Sequence, residues 1–167
     1  MAVVTSTGSR IMTGLDSTPK VLADPGEGGG KVHVWVETLE TGAADSTTST
    51  YLVARLPSNA RILGQSSIAH DALGATTATF DIGVYNLSGK SVITDDADAI
   101  NAGIVCSTAG TKAFIGDVAN WGLPLWDFVN GQASDPKTDL DIKLVLNDAH
   151  LSSGAGTVTV EIYYTLD

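Results

Sequence analysis

The sequence predicts an all-β protein: an antiparallel β-sandwich, jelly roll in type, with an extended N-terminal arm and two short helical segments. Three observations carry this prediction. Apolar and polar residues alternate with a period of two in run after run, the spacing of a half-buried strand. Clusters of Gly, Pro, Ser, Asn and Asp separate the runs and supply turn chemistry. No βαβ rhythm accompanies the strands, so they are expected to pair antiparallel in two stacked sheets.

Residues 1–31 read as the arm and residues 32–167 as the sandwich domain. The arm is rich in Thr, Ser, Gly, Pro and Asp, with scattered apolar residues such as Ile11, Leu15, Val21 and Leu22. It can bury too little apolar surface to fold alone. Pro25, Gly26, Glu27, Gly28, Gly29 and Gly30 make a flexible break. Two readings stand for this segment: a disordered tail, or an arm that orders on a neighbouring subunit with Val21 and Leu22 as its anchor.

Residues 31–39 form the first expected strand, in which Val32, Val34 and Val36 alternate with His33, Trp35 and Glu37. Both faces carry bulk, so the second sheet covers one and the arm or a neighbour covers the other. A second strand, 51–56, stops at Pro57, which has no N–H for a ladder. Ser58 and Asn59 turn the chain into a strand at 60–64, and 65–75 reads as a loop. In 76–85, Thr79, Asp81 and Gly83 alternate with Phe80, Ile82 and Val84. A turn at 86–90 leads to a short strand at 91–93.

Asp95, Asp96 and Asp98 then crowd a run that lacks the central glycine and distal glutamate of a calcium loop. The run reads instead as the acidic start of a short helix, where the dipole favours negative charge. After irregular chain and a short strand at 111–115 comes the most aromatic segment, 117–131. Pro124 suits a helix first turn, and Asn130 with Gly131 suits its end. Trp121 and Trp126 read as plugs at one end of the sandwich, with a sugar-stacking platform as the alternative. In 139–147, Leu140, Ile142, Leu144 and Leu146 face the core, while Asp139, Asp141 and Lys143 face out. Residues 157–166 alternate again and close the domain.

Composition narrows the function classes. A chain of 167 residues suits one domain and can bury roughly 70% of its unfolded surface, so it needs neither disulfide nor metal. The single cysteine, Cys106, can form no internal disulfide and reads as a small buried apolar residue in a reducing compartment. Net charge is −10, and the nine basic residues are spread along the chain, which argues against nucleic acid as a partner. No apolar run is long enough to span a bilayer, and the N-terminus carries no signal-peptide pattern; synthesis in a cytoplasm and no membrane partner are expected. His33, His70 and His150 are isolated, unlike the clustered histidines of a metal-dependent cupin site. Neither a nucleophile elbow nor a metal-ligand cluster nor a phosphate loop is found, so no catalytic residue, metal or cofactor is assigned and the protein is not expected to be an enzyme.

Several short motifs occur in a telling order: Ser17-Thr18-Pro19-Lys20-Val21-Leu22; Arg55-Leu56-Pro57-Ser58-Asn59-Ala60-Arg61-Ile62; Leu73-Gly74-Ala75; Asp81-Ile82-Gly83-Val84-Tyr85; Asp96-Ala97-Asp98-Ala99-Ile100; Pro124-Leu125-Trp126; Asp135-Pro136; Asp141-Ile142-Lys143-Leu144; and Gly156-Thr157-Val158. Together they resemble the small jelly-roll decoration, or cement, proteins of tailed-bacteriophage heads. The resemblance implies a non-enzymatic virion protein on the outer capsid surface. Such proteins bridge neighbouring major capsid proteins, usually as homodimers or homotrimers. Capsid contact is then assigned to Arg10, Lys20, Val21, Leu22 and Lys31. The alternative is a carbohydrate- or receptor-binding module of a tail fibre or cell-surface protein, using Trp35, Trp121 and Trp126.

Overall fold

The computed structural model describes residues 30–42, 45–73, 77–147 and 156–166. Nine strands lie among them: β1 His33–Thr41, β2 Thr50–Pro57, β3 Arg61–Ile62, β4 Ser67–His70, β5 Thr79–Tyr85, β6 Asp96–Val105, β7 Gly110–Ala113, β8 Asp139–Asn147 and β9 Gly156–Thr165. One sheet has the order β1-β9-β4-β7, with the two-residue β3 also paired to β9; the other has the order β2-β8-β5-β6. Every pairing is antiparallel. Setting the short β3 aside, eight strands in two four-stranded sheets with these orders make a jelly roll.

The alternation expected of β8 holds: Leu140, Ile142, Leu144 and Leu146 are buried between the sheets. Phe80, Ile82 and Val84 of β5 meet them from the same sheet, and Val158, Val160 and Ile162 of β9 from the facing one. β9 is the central strand of its sheet. It pairs with β1 from His33↔Tyr164 to Thr41↔Gly156 without a break, and with β3 and β4 on its other side.

The register of β2 against β8 shifts between Leu52 and Ala54, so Val53 is an extra residue. Val53 and Ala54 are therefore both buried, as a bulge allows. The bulge also frees the Val53 carbonyl, which accepts a 2.8 Å hydrogen bond from Trp35 Nε1 on β1. This bond joins the two sheets along one open side of the sandwich.

Four expectations need correction. The acidic run is no helix: Asp96–Val105 is strand β6. Its buried residues Ile100 and Ile104 are four apart, a helical spacing. Four apart also keeps one face of a strand; the pairing with β5 slips twice, and Gly103 sits at φ 67°. Ser91, Val92 and Ile93 lie outside any strand; Asn86 Oδ1 accepts from the backbone N–H of Val92 and of Ile93 instead. The loop at 65–75 contains strand β4, whose four residues Ser67–His70 pair with both β7 and β9. The strand at 60–64 shortens to Arg61–Ile62. The helical pieces are two 3-10 turns, Val118–Asn120 and Leu125–Phe128. The second starts after Pro124, as expected. The first replaces the helix expected of the acidic run.

Candidate interaction surface

The two outer faces of the sandwich differ in chemistry. On the β1-β9-β4-β7 sheet, the residues alternating with the buried ones are Val34, Val36, Thr38 and Glu40 of β1, and Thr157, Thr159, Glu161 and Tyr163 of β9. Ser67 and Ala69 of β4 continue the face. Thr38 and Thr159 share a hydrogen bond of 3.0 Å, and Thr157 donates to Glu40 at 2.7 Å. The result is a surface of mostly uncharged side chains whose named charges are Glu40 and Glu161.

The outer face of the other sheet is charged. Arg55 donates to both oxygens of Asp141, at 2.7 and 3.2 Å, and this pairing pushes the guanidinium further up. Lys143 Nζ lies 4.6 Å from the centre of the Tyr85 ring. Asp81 accepts from the Gly103 N–H and from Asn147 Nδ2. Asp98 shares a hydrogen bond with Asp96, which together with burial and the Asp96 charge holds its carboxyl above the usual range. Asp141, expected to face solvent, is buried beneath Arg55: a carboxylate between two strands is covered by a long neighbour.

Of the residues assigned to capsid contact, Lys31 is exposed, immediately before the first residues of the domain. Arg10, Lys20, Val21 and Leu22 lie outside the described residues, as does His150. The feature that alternation alone did not place is the row of valines after Lys31. Val32, Val34 and Val36 are 48, 52 and 58% exposed, while Trp35 turns inward. The alternation showed two bulky faces in this strand, but which one faces water depends on the partner sheet.

The tryptophans divide. Trp35 and Trp126 pack against the core, as plugs do. Trp121 is 48% exposed and lies over Gly64, whose missing Cβ would come within 2.3 Å of the ring. His33 stacks on Tyr164 across the β1/β9 pair, with ring centres 5.3 Å apart. His70 is buried; its Nδ1 is 2.9 Å from the Asp71 carbonyl. Cys106 donates to the Ala78 carbonyl at 3.0 Å, and burial pushes its thiol up to about 11, which keeps it a poor nucleophile. Asp45 bonds Tyr51 and accepts from the Gly42 N–H, which lowers its carboxyl, while burial and then the bond to Asp45 raise the phenol.

The recesses among the described residues are open ones. A recess of about 400 Å³ lies between Pro57, Ser58, Asn59 and the Asp135–Asp139 turn, where Ser58 donates to Asp135 at 2.5 Å. No histidine stands beside that serine among its lining residues. No cluster of His, Cys, Asp and Glu among the described residues has the makings of a metal site.

No protein-family model and no curated protein matches this sequence. Solved structures do. A chain of the cyanophage Pam1 capsid asymmetric unit is similar with a TM-score of 0.59 at 20% identity; the match covers 91% of this chain and 97% of that one. A chain from the capsid of Ralstonia phage GP4 is similar with a TM-score of 0.55 at 14% identity, covering 84% of this chain and 86% of that one. What these chains share with this one is the fold.

Proposed function

We propose that this chain is a structural virion protein that decorates and stabilises a phage capsid. In this reading it binds the outer surface and bridges neighbouring major capsid proteins as a homodimer or homotrimer. It is made in the host cytoplasm and has no enzymatic role. The observation that carries the reading is the likeness to chains of two phage capsids, nearly end to end in both directions. Three features support the reading: a two-sheet sandwich, an outer face poor in charge, and a long N-terminal segment. Arg10, Lys20, Val21, Leu22 and Lys31 remain the residues assigned to contact.

The physics of such a role is mass action. A protein that binds only the assembled, expanded shell lowers that state relative to rupture by its binding free energy. Many copies, each holding two capsid subunits, multiply modest affinities. The competing carbohydrate-binding reading loses two of its three stacking residues, because Trp35 and Trp126 pack against the core.

The test is sedimentation of the purified protein with phage heads. Pelleting with expanded heads and not with compact precursor shells is expected. Binding to neither overturns the proposal. Deleting residues 1–30 is expected to weaken binding to expanded heads; an unchanged affinity removes the arm from the account.

A further inference from the structure

The turn after the second 3-10 segment carries a reactive pair. Asn130 and Gly131 are both exposed, and Gly131 sits at φ 81°, a backbone conformation that glycine adopts without strain. Of the six asparagines in the chain, Asn130 alone is followed by glycine. Among the described residues, no hydrogen bond engages the Asn130 side-chain amide or the Gly131 N–H. The chain before the pair is anchored: Phe128 and Val129 are buried, and the Asn130 N–H donates to Asp96 Oδ2 at 3.2 Å. After the pair, the bond that resists rotation runs from the Gln132 N–H to the Val129 carbonyl at 3.1 Å.

The other asparagines lack these conditions. Asn86 Nδ2 donates to the Ile93 carbonyl and to Asp95, Asn101 Nδ2 to the Ala113 carbonyl, and Asn147 Nδ2 to Asp81. Asn59 and Asn120 precede Ala60 and Trp121, whose side chains crowd an approach through their own backbone nitrogens.

We propose that Asn130 is a site of self-modification, converted to aspartate and isoaspartate through a cyclic imide, and that the conversion loosens its tether to β6. The Gly131 nitrogen gives its proton to solvent base and attacks Asn130 Cγ. The new N–Cγ bond closes the imide ring; the Cγ–Nδ2 bond breaks, and ammonia leaves with a proton taken from solvent. Water then opens the imide at either carbonyl. Opening at Cγ gives aspartate; opening at the backbone carbonyl gives isoaspartate, whose main chain runs through Cβ and Cγ. The net change is one water taken up and one ammonia released, with nothing oxidised or reduced. Glycine favours ring closure because it has no Cβ to crowd it.

The product carries a new carboxylate on the residue whose N–H holds Asp96, the first residue of β6. Like charges this close repel, and isoaspartate also lengthens the main chain there, so the bond to Asp96 weakens. The reaction needs no capsid and is independent of the capsid reading.

Peptide mapping by mass spectrometry of the full-length protein, aged in mildly alkaline buffer, is the experiment. The peptide spanning Asn130 is expected to gain the mass of an amide turned to an acid before any peptide spanning another asparagine. It is also expected to separate into aspartate and isoaspartate forms. An Asn130→Gln variant, which keeps an amide at the end of the side chain, loses the early conversion. In an Asn130→Asp variant, the amide hydrogen of residue 130 exchanges faster than in the unmodified protein, while β8 amides are unchanged. Another asparagine converting first overturns the proposal. So does a product that is aspartate alone, since the imide would then be bypassed. An unchanged exchange rate at residue 130 overturns the link to β6.

Discussion

At the scale of single residues, polar groups are placed by what they bond. The Val53 carbonyl is freed by a bulge and taken up by Trp35 Nε1. Trp35→Phe keeps the ring and removes the donor, leaving that carbonyl without its partner. A loss of about 1–2 kcal/mol is expected, read as a lower midpoint in urea unfolding with an unchanged slope. Asp98 gives the opposite sign. Its hydrogen bond to Asp96, then burial, then the Asp96 charge raise its folded-state carboxyl above its ordinary value. A raised carboxyl destabilises the fold at pH above its folded value, and that penalty disappears as pH falls toward the unfolded value, about 4. Asp98→Asn is therefore expected to raise the melting temperature at pH 7, with the gain shrinking as pH approaches 4. A gain that is the same at both pH values would show that repulsion is not its cause.

At the scale of elements, the pairing of β5 with β6 explains both a glycine and the misread acidic run. A Cβ on Gly83 would lie 2.4 Å from the Asp96 carbonyl oxygen and 2.6 Å from the Ala97 Cα. Both are backbone atoms of the neighbouring strand, so neither can swing away. Gly83→Ala is expected to part β5 from β6 at a cost of about 3 kcal/mol, with β6 amides exchanging faster than those of β8. Equal exchange in β6 of both proteins would mean the contact relaxes elsewhere. Acids crowded at the start of a segment read as a helix start by local rules. Pairing with β5 makes the same residues an edge strand. β4 escaped notice for a different reason: four residues give too little alternation to recognise, and its support comes from β7 and β9, about forty or more positions away in sequence.

At the scale of the whole molecule, β9 closes the fold. Thr38 and Thr159, bonded across β1 and β9, are 121 positions apart. Pairings at this separation make folding slow, because chain must be ordered before the contact forms. They also make the sheet dependent on its last strand. A chain cut before Gly156 loses the partner of β1, β3 and β4 and is expected to show no cooperative thermal transition by circular dichroism. A surviving transition would show that the β2-β8-β5-β6 sheet stands alone. The division between a charged face and one poor in charge also belongs to this scale, since each face collects residues from strands scattered along the sequence.

Period-two alternation in β1, β2, β5, β8 and β9 was enough to determine an antiparallel sandwich and the inward residues of β8, because burial on one face of a pleated strand leaves that pattern in the sequence. The same pattern cannot say which strands are neighbours, which edge stays open, or which of two apolar faces meets water. Those are relations between residues far apart in the chain, and only the tertiary structure decided them. It turned Trp35 inward and the valines outward, and covered Asp141 with Arg55.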